Sequence, residues 1–409
     1  MQDENSADDD EESSSLIREP SKLERLESDL TRARAFIRNL VLKFTQTLPV
    51  NNEENDYVPQ GDVYSNASEF HKSSLMMEKM FKIFVYKEGE LPMFHGGPCK
   101  NIYTTEGRFI QQMEIDTKFR TYDPDEAHVY FLPFSVAKMV QYLYVLNSHD
   151  GNAIKQVVAD YVTVIANKHQ YWNRSLGADH FMLSCHDWGP MASSFVPDLY
   201  KNAIRVLCNA NTSEGFDPTK DASLPEINLI TGELNDVIGG PPPSDRSILA
   251  FFAGRLHGQI RSILLEYWQN KDEDLQVYKT LPKGVSYNEL MKKSKYCLCP
   301  SGFEVASPRV VEAIYFECVP VLISIDYIPP FSDVLNWDSF AVQVQVRDIP
   351  NLKKILMDIP QDRYLRMQKR LKHVQRHFIL NTPPKRYDVF HMILHSVWLR
   401  RLNVQITDQ

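Results

Sequence analysis

The sequence predicts an α/β protein built from two domains, with an additional helix near its N-terminus. Three observations favour this class. A chain of 409 residues is longer than a single core usually supports, so two domains are the natural expectation. Short apolar runs typical of buried strands alternate with helical stretches along most of the chain. Two glycines and three prolines lie within residues 237–246, where neither a helix nor a strand can continue.

The N-terminal part divides into three predicted segments. Residues 1–20 are acidic and rich in serine, which predicts a disordered segment. Residues 21–47 are predicted to form a stem helix with Ser21 as its N-cap. This helix has two interpretations: a stem through which the protein forms homo- or hetero-oligomers, or a surface helix packed on the body. Residues 48–75 are polar and are predicted to be a linker. The helix prediction rests on a heptad stripe of Leu23, Leu26, Leu30, Ala33, Ile37 and Leu40.

The two α/β domains are predicted on either side of a hinge over residues 237–246. In the first domain, residues 76–236, a helix over 153–168 separates strands predicted over 82–86, 128–133 and 180–184. In the second domain, residues 247–380, strands are predicted over 247–253, 295–299 and 341–346, with helices over 259–269 and 287–294. Residues 381–409 are predicted to hold an amphipathic helix over 389–402. Ligands of parallel sheets bind beyond the carboxyl ends of the strands, so the loops after strands hold the candidate site.

Charge and cysteine usage exclude two function classes. Seven acidic side chains within residues 1–12 carry almost all of the net charge of −8, so the remaining chain is close to neutral. It has no basic field, and no nucleic-acid partner is expected. The six cysteines form no CxxC pair, which argues against a zinc site and allows up to three disulfides in 15 full pairings. Glycosylation sequons at Asn66, Asn173 and Asn211 modestly favour a secretory compartment.

The stretch Cys299–Ile323 carries the main candidate for ligand binding. Ser307 is predicted to cap a helix that has Pro308 at its first position. A helix start of this kind attracts an anion, and Arg309 adds a planar fork suited to phosphate oxygens. Glu312, one turn later, faces the same side and could accept hydrogen bonds from the hydroxyls of a ribose. The alternative is a surface ion pair between Arg309 and Glu312.

Neighbouring residues favour the nucleotide interpretation. Ser301 and Gly302 form a tight turn that would let the backbone approach a ligand. Glu304 precedes Glu312 by eight residues, and it is predicted either to contact the ligand or to accept backbone N–H bonds. Arg255 ends the first strand of the domain and is expected to meet Arg309 at the same sheet edge.

The ordered motifs of this chain resemble plant members of the exostosin-like glycosyltransferases, family 47. The resemblance covers residues 75–375 and rests on the segments 81–87, 95–98, 103–109, 123–134, 171–174, 186–190, 252–255 and 299–323. It implies the GT-B architecture, in which two Rossmann-like domains face a cleft. It also implies an inverting enzyme that moves a sugar from a UDP-sugar, with no tightly bound cofactor, to a pectin or hemicellulose acceptor. Family members begin with a membrane anchor, so a Golgi membrane location with a lumenal catalytic domain is expected, the anchor lying outside this chain.

Glycosyl transfer requires a base for the acceptor hydroxyl and positive charge for the departing diphosphate. His186 and Asp187 follow a predicted strand, and either could accept the proton. His95 and Trp188 are candidates for contacts with the acceptor. Arginines can stabilise the diphosphate without a metal, and both Asp-x-Asp motifs, at residues 123–125 and 272–274, are interpreted as structural.

Two other functions stay open on the sequence. The first is a noncatalytic carbohydrate-binding or assembly subunit with the same fold. The second is a cytosolic enzyme that acts on nucleotide sugars.

Overall fold

The computed structural model describes residues 18–39, 57–234 and 238–407. Within these residues it contains two separate sheets whose strands all run parallel, with helices on their faces. The predicted α/β class with two Rossmann-like units is therefore confirmed. The acidic segment 1–17, part of the linker and Leu40 of the heptad stripe lie outside the described residues.

The first unit is a six-stranded sheet with the strand order β2-β1-β3-β4-β5-β6. Its central strand, β4, is buried along its whole length, which explains why residues 180–184 read as a continuous apolar run. The strands are β1 Ile83–Val85, β2 Arg120–Thr121, β3 Val129–Phe131, β4 His180–Ser184, β5 Ile204–Leu207 and β6 Ala222–Ser223. The helices are α1 Lys22–Asn39, α2 Ala67–Met80, α3 Thr104–Ile115, α4 Val136–Leu143, α5 Asn152–Lys168, α6 Gln170–Ser175, α7 Gly189–Ala192 and α8 Pro197–Lys201.

The second unit is a five-stranded sheet with the order β11-β10-β9-β7-β8. Its strands are β7 Ile248–Ala253, β8 Leu275–Tyr278, β9 Ser294–Pro300, β10 Val319–Ile323 and β11 Val342–Gln343. Its helices are α9 Gln259–Trp268, α10 Tyr287–Lys293, α11 Arg309–Tyr315, α12 Leu352–Met357 and α13 Gln361–Val374, and α14 Val389–Arg401 follows. The strand predicted over 341–346 is shorter than expected, because the chain turns into a 3₁₀ helix at Val346.

The two units meet at the carboxyl ends of β5 and β6. The loop after β10 crosses to the first unit, where Ile328 N donates to Ala210 O at 3.0 Å and Thr212 N donates to Asp326 O at 2.9 Å. The hydroxyl of Ser223, at the end of β6, donates to Ile328 O at 2.7 Å. These bonds close one side of a cleft that lies between the strand ends of the two sheets.

The helix predicted as a stem packs on the body of the protein. In α1 the stripe residues Leu30 and Ala33 are 0% and 1% exposed. Glu27 pairs with Arg401 of α14, and Arg34 Nη2 donates to Val404 O at 2.8 Å. The structure therefore shows the second of the two predicted arrangements, because four residues of the stripe, Leu23, Leu30, Ala33 and Ile37, are buried within this chain.

The prediction that residues 48–75 form a linker is wrong for the second half of this segment. Asn66 caps α2 by accepting the backbone N–H of Glu69 at 3.1 Å. Just before it, Tyr64 is buried, and its hydroxyl lies 2.8 Å from His377 Nε2. A short polar segment with few apolar residues can still pack when a tyrosine within it finds a buried polar partner.

The C-terminal helix, α14, is not amphipathic as predicted. Nearly all of its side chains are buried, and it packs across the first unit, against α2, β5 and β6. Arg400 and Arg401 at its end are buried because their guanidinium groups reach Asp333 and Glu27. A helix surrounded by protein on all sides carries apolar or paired side chains on every face, so no polar face develops.

The Gly/Pro segment predicted as a hinge, residues 237–246, is attached to the second unit. Arg246 is 2% exposed and donates to three backbone carbonyls, those of Pro241, Ser294 and Phe316. Gly240 lies so close that a Cβ there would stand 2.3 Å from Phe316 O.

Two disulfides tie neighbouring strand ends together. Cys185–Cys208 links the ends of β4 and β5, and Cys297–Cys318 links β9 to the turn before β10. Cys99 and Cys299 are free. Among the described helices, none combines the length and apolar character needed to span a membrane.

Candidate active site

The candidate site lies where the carboxyl ends of the two sheets face each other. In the first unit, Asp187 follows β4 and Asn209 follows β5. In the second unit, Glu304 follows β9 and Arg309 begins α11. The Asn209 amide donates to Glu304 Oε2 at 3.0 Å. The structure therefore brings predicted residues of both units to one cleft, at the strand ends where parallel sheets bind ligands.

His186 is fixed as a hydrogen-bond donor. Its Nδ1 accepts the backbone N–H of Trp188 at 3.0 Å, so the proton of the neutral ring lies on Nε2. Its ring packs against Tyr103, with the centroids 4.7 Å apart. Burial lowers the pKa of His186 to about 4, which keeps the ring neutral at pH 7. The arrangement leaves Asp187 as the better base of the predicted pair.

Asp187 has the electrostatic environment of a base that works near neutral pH. Burial raises the pKa of its carboxyl to about 6, and the negative charge of Glu214 acts in the same direction. The group is therefore mostly ionised at pH 7 and more basic than an ordinary aspartate, as efficient proton transfer requires.

The side chain of Asn209 is the centre of a cluster of acidic groups. Its Nδ2 lies 3.0 Å from Asp187 O, from Glu214 Oε2 and from Glu304 Oε2. Burial raises the pKa of Glu304 to about 7, with contributions from Asp187 and Glu214, while the bond from Asn209 opposes the shift. Asn209 is 1% exposed, and its Oδ1 has no hydrogen-bond partner among the described residues.

A buried carboxylate holds the loop that carries His186 and Asp187. Glu106, at the start of α3, is 0% exposed and accepts the backbone N–H groups of Cys185 at 2.8 Å and His186 at 3.3 Å. It also accepts the N–H of Ala137 at 3.0 Å and hydroxyl bonds from Ser135 and Ser184. Sequence reasoning missed Glu106, because these partners lie about 30 and 80 residues away in the chain.

Arg309 lies against the end of β7. Its Nη2 donates to Ala253 O at 3.1 Å and its Nη1 to Ser307 Oγ at 3.3 Å. The guanidinium lies 5.1 Å from the ring centroid of Phe252. Gly254 makes room for it, since a Cβ there would stand 2.5 Å from Arg309 Nη2. Nε is buried and has no hydrogen-bond partner among the described residues, so part of the donor capacity of this arginine is unused.

The prediction that Ser307 caps the helix is wrong. The helix α11 begins at Arg309, directly after Pro308, and no side chain caps it. The Ser307 hydroxyl accepts a bond from the Arg309 side chain instead. Because α11 has only seven residues, the positive charge at this edge comes from side chains rather than from the helix.

Arg261, near the start of α9, is a second arginine at this edge, and sequence reasoning missed it. Its Nε donates to Pro300 O at 3.4 Å. Burial lowers the pKa of Arg261 to about 10, and repulsion by Arg309 adds to the shift. A basic residue in the first turn of the helix after β7 was the available signal, but Arg255 was chosen because it directly follows the strand.

Glu226, on the segment after β6, is also a residue that sequence reasoning missed. Its side chain is buried, at 6% exposure. Burial raises its pKa well above the ordinary value, the charges of Asp187 and Glu312 add to the shift, and Arg309 and Arg261 oppose it. No local pattern marks this residue, because these neighbours come from separate segments of both units.

Glu312 and Arg309 do not form the surface ion pair that was the alternative interpretation. The Tyr287 hydroxyl donates to Glu312 Oε2 at 3.0 Å, while Arg309 is bonded to Ala253 and Ser307. Burial raises the pKa of Glu312, and the charge of Arg309 opposes this shift. Both side chains are therefore held inside the cleft.

The turn at Ser301 and Gly302 packs against the loop after β7. Ser301 is buried, and its N–H donates to Ile323 O at 3.0 Å. A Cβ on Gly302 would stand 2.4 Å from the ring of His257 and 3.2 Å from Arg261 Nη2. The glycine thus allows the two loops and Arg261 to lie close together. Arg255 is exposed at the start of the loop after β7.

His95 and Trp188 have different surroundings. Both ring nitrogens of His95 have partners, Glu114 Oε1 at 2.7 Å and the carbonyl of Glu88 at 3.1 Å, so this side chain is tied to its own unit. Trp188 lies beside the catalytic candidates, with its ring 5.9 Å from His186 and 4.9 Å from Tyr144. Trp188 therefore lies at the cleft, whereas the side chain of His95 is held by Glu114 and Glu88.

The three glycosylation sequons are not equally accessible. Asn66 and Asn173 are exposed. Asn211 is 7% exposed, its Nδ2 donates to Glu214 Oε1 at 3.0 Å, and its Oδ1 accepts from Ser213. A glycan on Asn211 is incompatible with this conformation.

Both Asp-x-Asp motifs have protein partners. Asp123 Oδ1 accepts the N–H of Asp125 at 2.9 Å, and Asp125 Oδ1 accepts the Tyr171 hydroxyl at 2.7 Å. Asp272 and Asp274 pair with Lys353, at 2.7 Å and 2.9 Å. Within the described ranges, no three His, Cys, Asp or Glu side chains are grouped so that they could hold a metal ion.

Comparison with known proteins identifies one family. Its sequence model, described as "Exostosin GT47 domain", matches residues 77–359. The chain is 59% identical over 388 residues to "Probable glycosyltransferase At5g03795" of Arabidopsis thaliana, covering 95% of this chain and 74% of that protein. It is 27% identical over 327 residues to "Probable glucuronosyltransferase Os01g0926700" of Oryza sativa subsp. japonica, covering 73% and 75%. A solved glycosyltransferase from Rickettsia africae ESF-5 aligns with 76% of this chain and 96% of its own, at 8% identity and a TM-score of 0.32, which carries no inference.

Proposed function

Because the chain belongs to the exostosin GT47 family of glycosyltransferases, we propose that it is an inverting enzyme that moves a sugar from a UDP-sugar to a cell-wall polysaccharide in the Golgi. The observation that carries the proposal is the arrangement of charge in the cleft. Two arginines, Arg309 and Arg261, lie in the second unit and Asp187 lies in the first, and the charges of all three act on the buried carboxyl of Glu226. An acceptor base and a diphosphate site are the two requirements of this reaction.

The acceptor hydroxyl is activated by Asp187. Its carboxylate takes the hydroxyl proton as the acceptor oxygen forms a bond to the anomeric carbon of the donor sugar. On the opposite face of that carbon, the bond to the diphosphate oxygen breaks, and the electron pair leaves with UDP. A single displacement of this kind inverts the configuration at the anomeric carbon.

The departing diphosphate is stabilised by Arg309 and Arg261. A guanidinium forms charge-assisted hydrogen bonds with phosphate oxygens, worth about 1.5–3 kcal/mol each. Arg309 is already held by Ala253 O and Ser307 Oγ, so little ordering is needed when the donor binds. These cations balance the developing charge, which supports a metal-independent reaction. Glu312, behind Arg309, is placed to accept hydrogen bonds from the ribose.

The acceptor lies along a row of aromatic rings in the first unit. Tyr103, His186, Trp188 and Tyr144 follow one another with centroid distances of 4.7, 5.9 and 4.9 Å. Sugar rings stack on aromatic faces, and a row of this length suits several linked sugars better than one. His186 Nε2–H adds a donor for an acceptor oxygen. This row supports a polysaccharide acceptor of the pectin or hemicellulose type.

The proposed compartment is the lumen of the Golgi. Disulfides are typical of oxidising compartments, and Cys185–Cys208 and Cys297–Cys318 are both placed in the core of the protein. The exposed sequons at Asn66 and Asn173 are accessible for glycosylation in the same compartment.

The proposal is tested by measuring the thermal stability of the full chain with UDP, GDP, ADP and CMP. A nucleotide at 100 times its dissociation constant adds about 2.7 kcal/mol to the free energy of unfolding. We expect selective stabilisation by UDP that is lost in Arg261→Ala and Arg309→Lys and kept in Arg347→Ala, a matched control whose side chain is 86% exposed on the same unit. A well-folded wild type that responds to no nucleotide would favour the noncatalytic carbohydrate-binding or assembly subunit.

A further inference from the structure

The helix α13 carries an excess of positive charge. Its 14 residues include five cations and one carboxylate, Asp362, an excess of four positive charges with histidine neutral. The cations are Arg363, Arg366, Lys369, Arg370 and Lys372. The chain after residue 12 is close to neutral in total, so this excess is a local feature of one surface. Protein surfaces usually intersperse charges of both signs, and α13 departs from that pattern.

Four of these cations form an oblique row on the exposed face of the helix. The row consists of Arg363, Arg366, Lys369 and Lys372, which follow one another at intervals of three residues and are all exposed. Residues three apart on a helix are neighbours, with about 5–6 Å between their Cβ atoms, and such rows cross the helix surface at an angle to its axis. The carboxylate of Asp362 pairs with Arg366 at 2.6 Å. The row therefore presents a line of positive charge to the solvent.

A fifth cation lies beside the first end of the row. The Nζ of Lys295, at the start of β9, lies 5.9 Å from the ring centroid of Tyr364, the residue that follows Arg363. The ring centroids of Tyr364 and Tyr296 are 5.4 Å apart. This end of the row is therefore packed on the amino end of β9.

The other end of the row lies just before β10. Lys372 pairs with Glu317 at 3.3 Å, and Gln368 Nε2 donates to the same carboxylate oxygen at 2.9 Å. The side chain of Lys372 is 59% exposed and that of Glu317 is 7% exposed, so the cation rather than the carboxylate faces the solvent. The row and Lys295 together are called the basic surface of α13.

The basic surface of α13 lies at the edge of the second sheet opposite to the cleft. Its two ends contact β9 and the segment before β10 at the amino ends of these strands. Glu304 and Arg309 instead follow the carboxyl end of β9. This strand has seven residues, which corresponds to a length of about 20 Å. A ligand bound by these cations is therefore held at a site separate from the reacting groups of the cleft.

We propose that the basic surface of α13 binds an acidic polysaccharide, a chain of uronic acid residues, outside the active site. The choice of a polysaccharide rests on the proposed function, in which the acceptor is of the pectin or hemicellulose type. A linear polymer with a carboxylate on each sugar can pair with successive cations of the row, because both present charge at regular intervals. An acceptor held at this surface stays near the cleft between transfers, which raises its effective concentration.

An anionic membrane is another partner that a basic helix can take, and the exposed face of α13 argues against it. Helices that lie on a bilayer bury an apolar face among the lipids. The apolar residues of α13 are instead turned into the protein, since Tyr364, Met367, Leu371 and Val374 are buried. Leu365, at 42% exposure, is the one large apolar side chain that α13 exposes. A polymer that offers charge alone fits this face better than a bilayer does.

Binding of polygalacturonate to the full chain tests the inference. The matched ligand is the same polymer with every carboxyl methyl-esterified, which keeps the sugar backbone and removes the charge. By isothermal titration calorimetry we expect polygalacturonate to bind at least about tenfold more tightly than the ester in about 50 mM NaCl. Its affinity should fall steeply between about 50 mM and about 200 mM NaCl, because salt screens exposed charges.

Two variants with opposite expectations show whether the row is the binding site. The triple variant Arg363→Gln, Arg366→Gln and Lys369→Gln removes three positive charges and keeps side chains that favour a helix. We expect it to bind polygalacturonate at least about tenfold more weakly, with a smaller salt dependence. Asp362→Asn removes the carboxylate beside the row, so its affinity should rise by about twofold or more.

A second triple variant is the control for net charge. Lys271→Gln, Lys279→Gln and Lys283→Gln removes three exposed cations from other parts of the second unit. It changes the net charge of the protein as much as the first triple variant does. We expect its affinity for polygalacturonate to stay within about twofold of the wild type, because these charges lie outside the row.

The possible outcomes separate this inference from the proposed function, because polymer binding is measured without donor or turnover. Binding that the first triple variant loses and the control keeps supports the inference even if UDP does not bind, and the protein would then be the noncatalytic carbohydrate-binding subunit. Equal affinity for the methyl ester, or an equal effect of the two triple variants, overturns the inference and leaves the UDP-sugar transferase in place. Binding to vesicles of phosphatidylserine and phosphatidylcholine without binding to polygalacturonate assigns the surface to a membrane and also overturns it.

Discussion

Asn209 Nδ2 lies 3.0 Å from Glu304 Oε2, so a hydrogen bond joins the strand end of β5 in the first unit to the loop after β9 in the second. The same amide nitrogen lies 3.0 Å from the carbonyl of Asp187 and from Glu214. One buried amide thus holds together the side chains of both units around the proposed base.

Replacing Asn209 tests this arrangement. In Asn209→Ala, Glu304 loses the hydrogen bond that opposes its raised pKa, so its pKa should rise further and its carboxyl should be protonated over a wider pH range. We expect donor turnover to fall at least about tenfold and the free energy of unfolding to fall by about 1–2 kcal/mol, because buried acceptors lose their partner. Kinetics and urea titration measure the two effects. Asn403→Ala, an exposed residue near the C-terminus, is the control; unchanged turnover in Asn209→Ala would contradict the role given to this amide.

The pH dependence of the reaction follows from Asp187. With a pKa of about 6, its carboxylate is protonated progressively as the pH falls below that value, and a protonated base cannot accept the hydroxyl proton. We expect kcat/KM to fall on the acid side with an apparent pKa near 6. In Asp187→Asn, turnover should fall by about 10²–10⁴. A wild-type profile that stays flat down to pH 5 would exclude Asp187 as the base.

The buried carboxyl of Asp187 also makes the fold less stable at neutral pH. In the unfolded chain Asp187 ionises near 3.8, but in the folded chain it ionises near 6, so the free energy of unfolding falls as the pH rises through this window. Asp187→Asn should therefore be more stable than the wild type at pH 7, by up to about 3 kcal/mol, and the gain should vanish below about pH 4. Asp272→Asn is the control with the opposite expectation. The wild-type Asp272 carboxylate pairs with Lys353 at 2.7 Å and its pKa is lowered. Removing this carboxylate should therefore reduce the stability at pH 7. Thermal unfolding at pH 4 and pH 7 distinguishes these outcomes.

Sequence reasoning can identify candidate residues that a local pattern marks. It cannot identify residues whose neighbours come from distant segments of the chain. Asp187 is recognisable because it lies just after a strand whose apolar run is easy to read, and Glu304 because it precedes Glu312 by eight residues. Glu226 is not recognisable from the sequence because the charged neighbours that shift its pKa come from separate segments of both units, which no local spacing encodes. The stripe of α1 was recognised, but whether it pairs with a copy or packs on the body depends on a partner surface, here α14, that lies more than 350 residues away.

Glu106 is expected to position the catalytic loop rather than to touch the substrate. Glu106→Gln replaces one acceptor oxygen by an NH₂ group, which cannot accept the backbone N–H bonds that Cys185 and His186 donate. We expect a loss of stability of about 1–3 kcal/mol. Because the loop carries Asp187, we also expect a lower kcat and a changed apparent pKa on the acid side, with KM for the donor nearly unchanged.

A matched variant separates positioning from simple destabilisation. Glu114 is a partly buried glutamate of the same helix, α3, and it pairs with His95 and Arg120. Glu114→Gln should lose stability without changing the apparent pKa of kcat/KM. If the kcat/KM of both Glu106→Gln and Glu114→Gln falls on the acid side with the same apparent pKa as that of the wild type, Glu106 has only a structural role.

The aromatic row predicts that the enzyme distinguishes acceptors by length. Trp188 packs edge to face on Tyr144 at 4.9 Å, so the two rings extend the surface that begins beside His186. A sugar ring stacked on an aromatic face removes apolar surface of both rings from water, which lowers KM for each additional sugar in contact. KM for the wild type should therefore fall as the acceptor oligosaccharide lengthens.

In Tyr144→Ala this dependence should weaken while the KM for the donor is kept, because Tyr144 lies farther from Asp187 than Trp188 does along the row. Phe195→Ala, an exposed ring of the same unit outside the row, should keep the dependence. A wild-type KM that is independent of acceptor length would show that the acceptor runs in another direction, since stacking on successive rings cannot leave the affinity of longer chains unchanged.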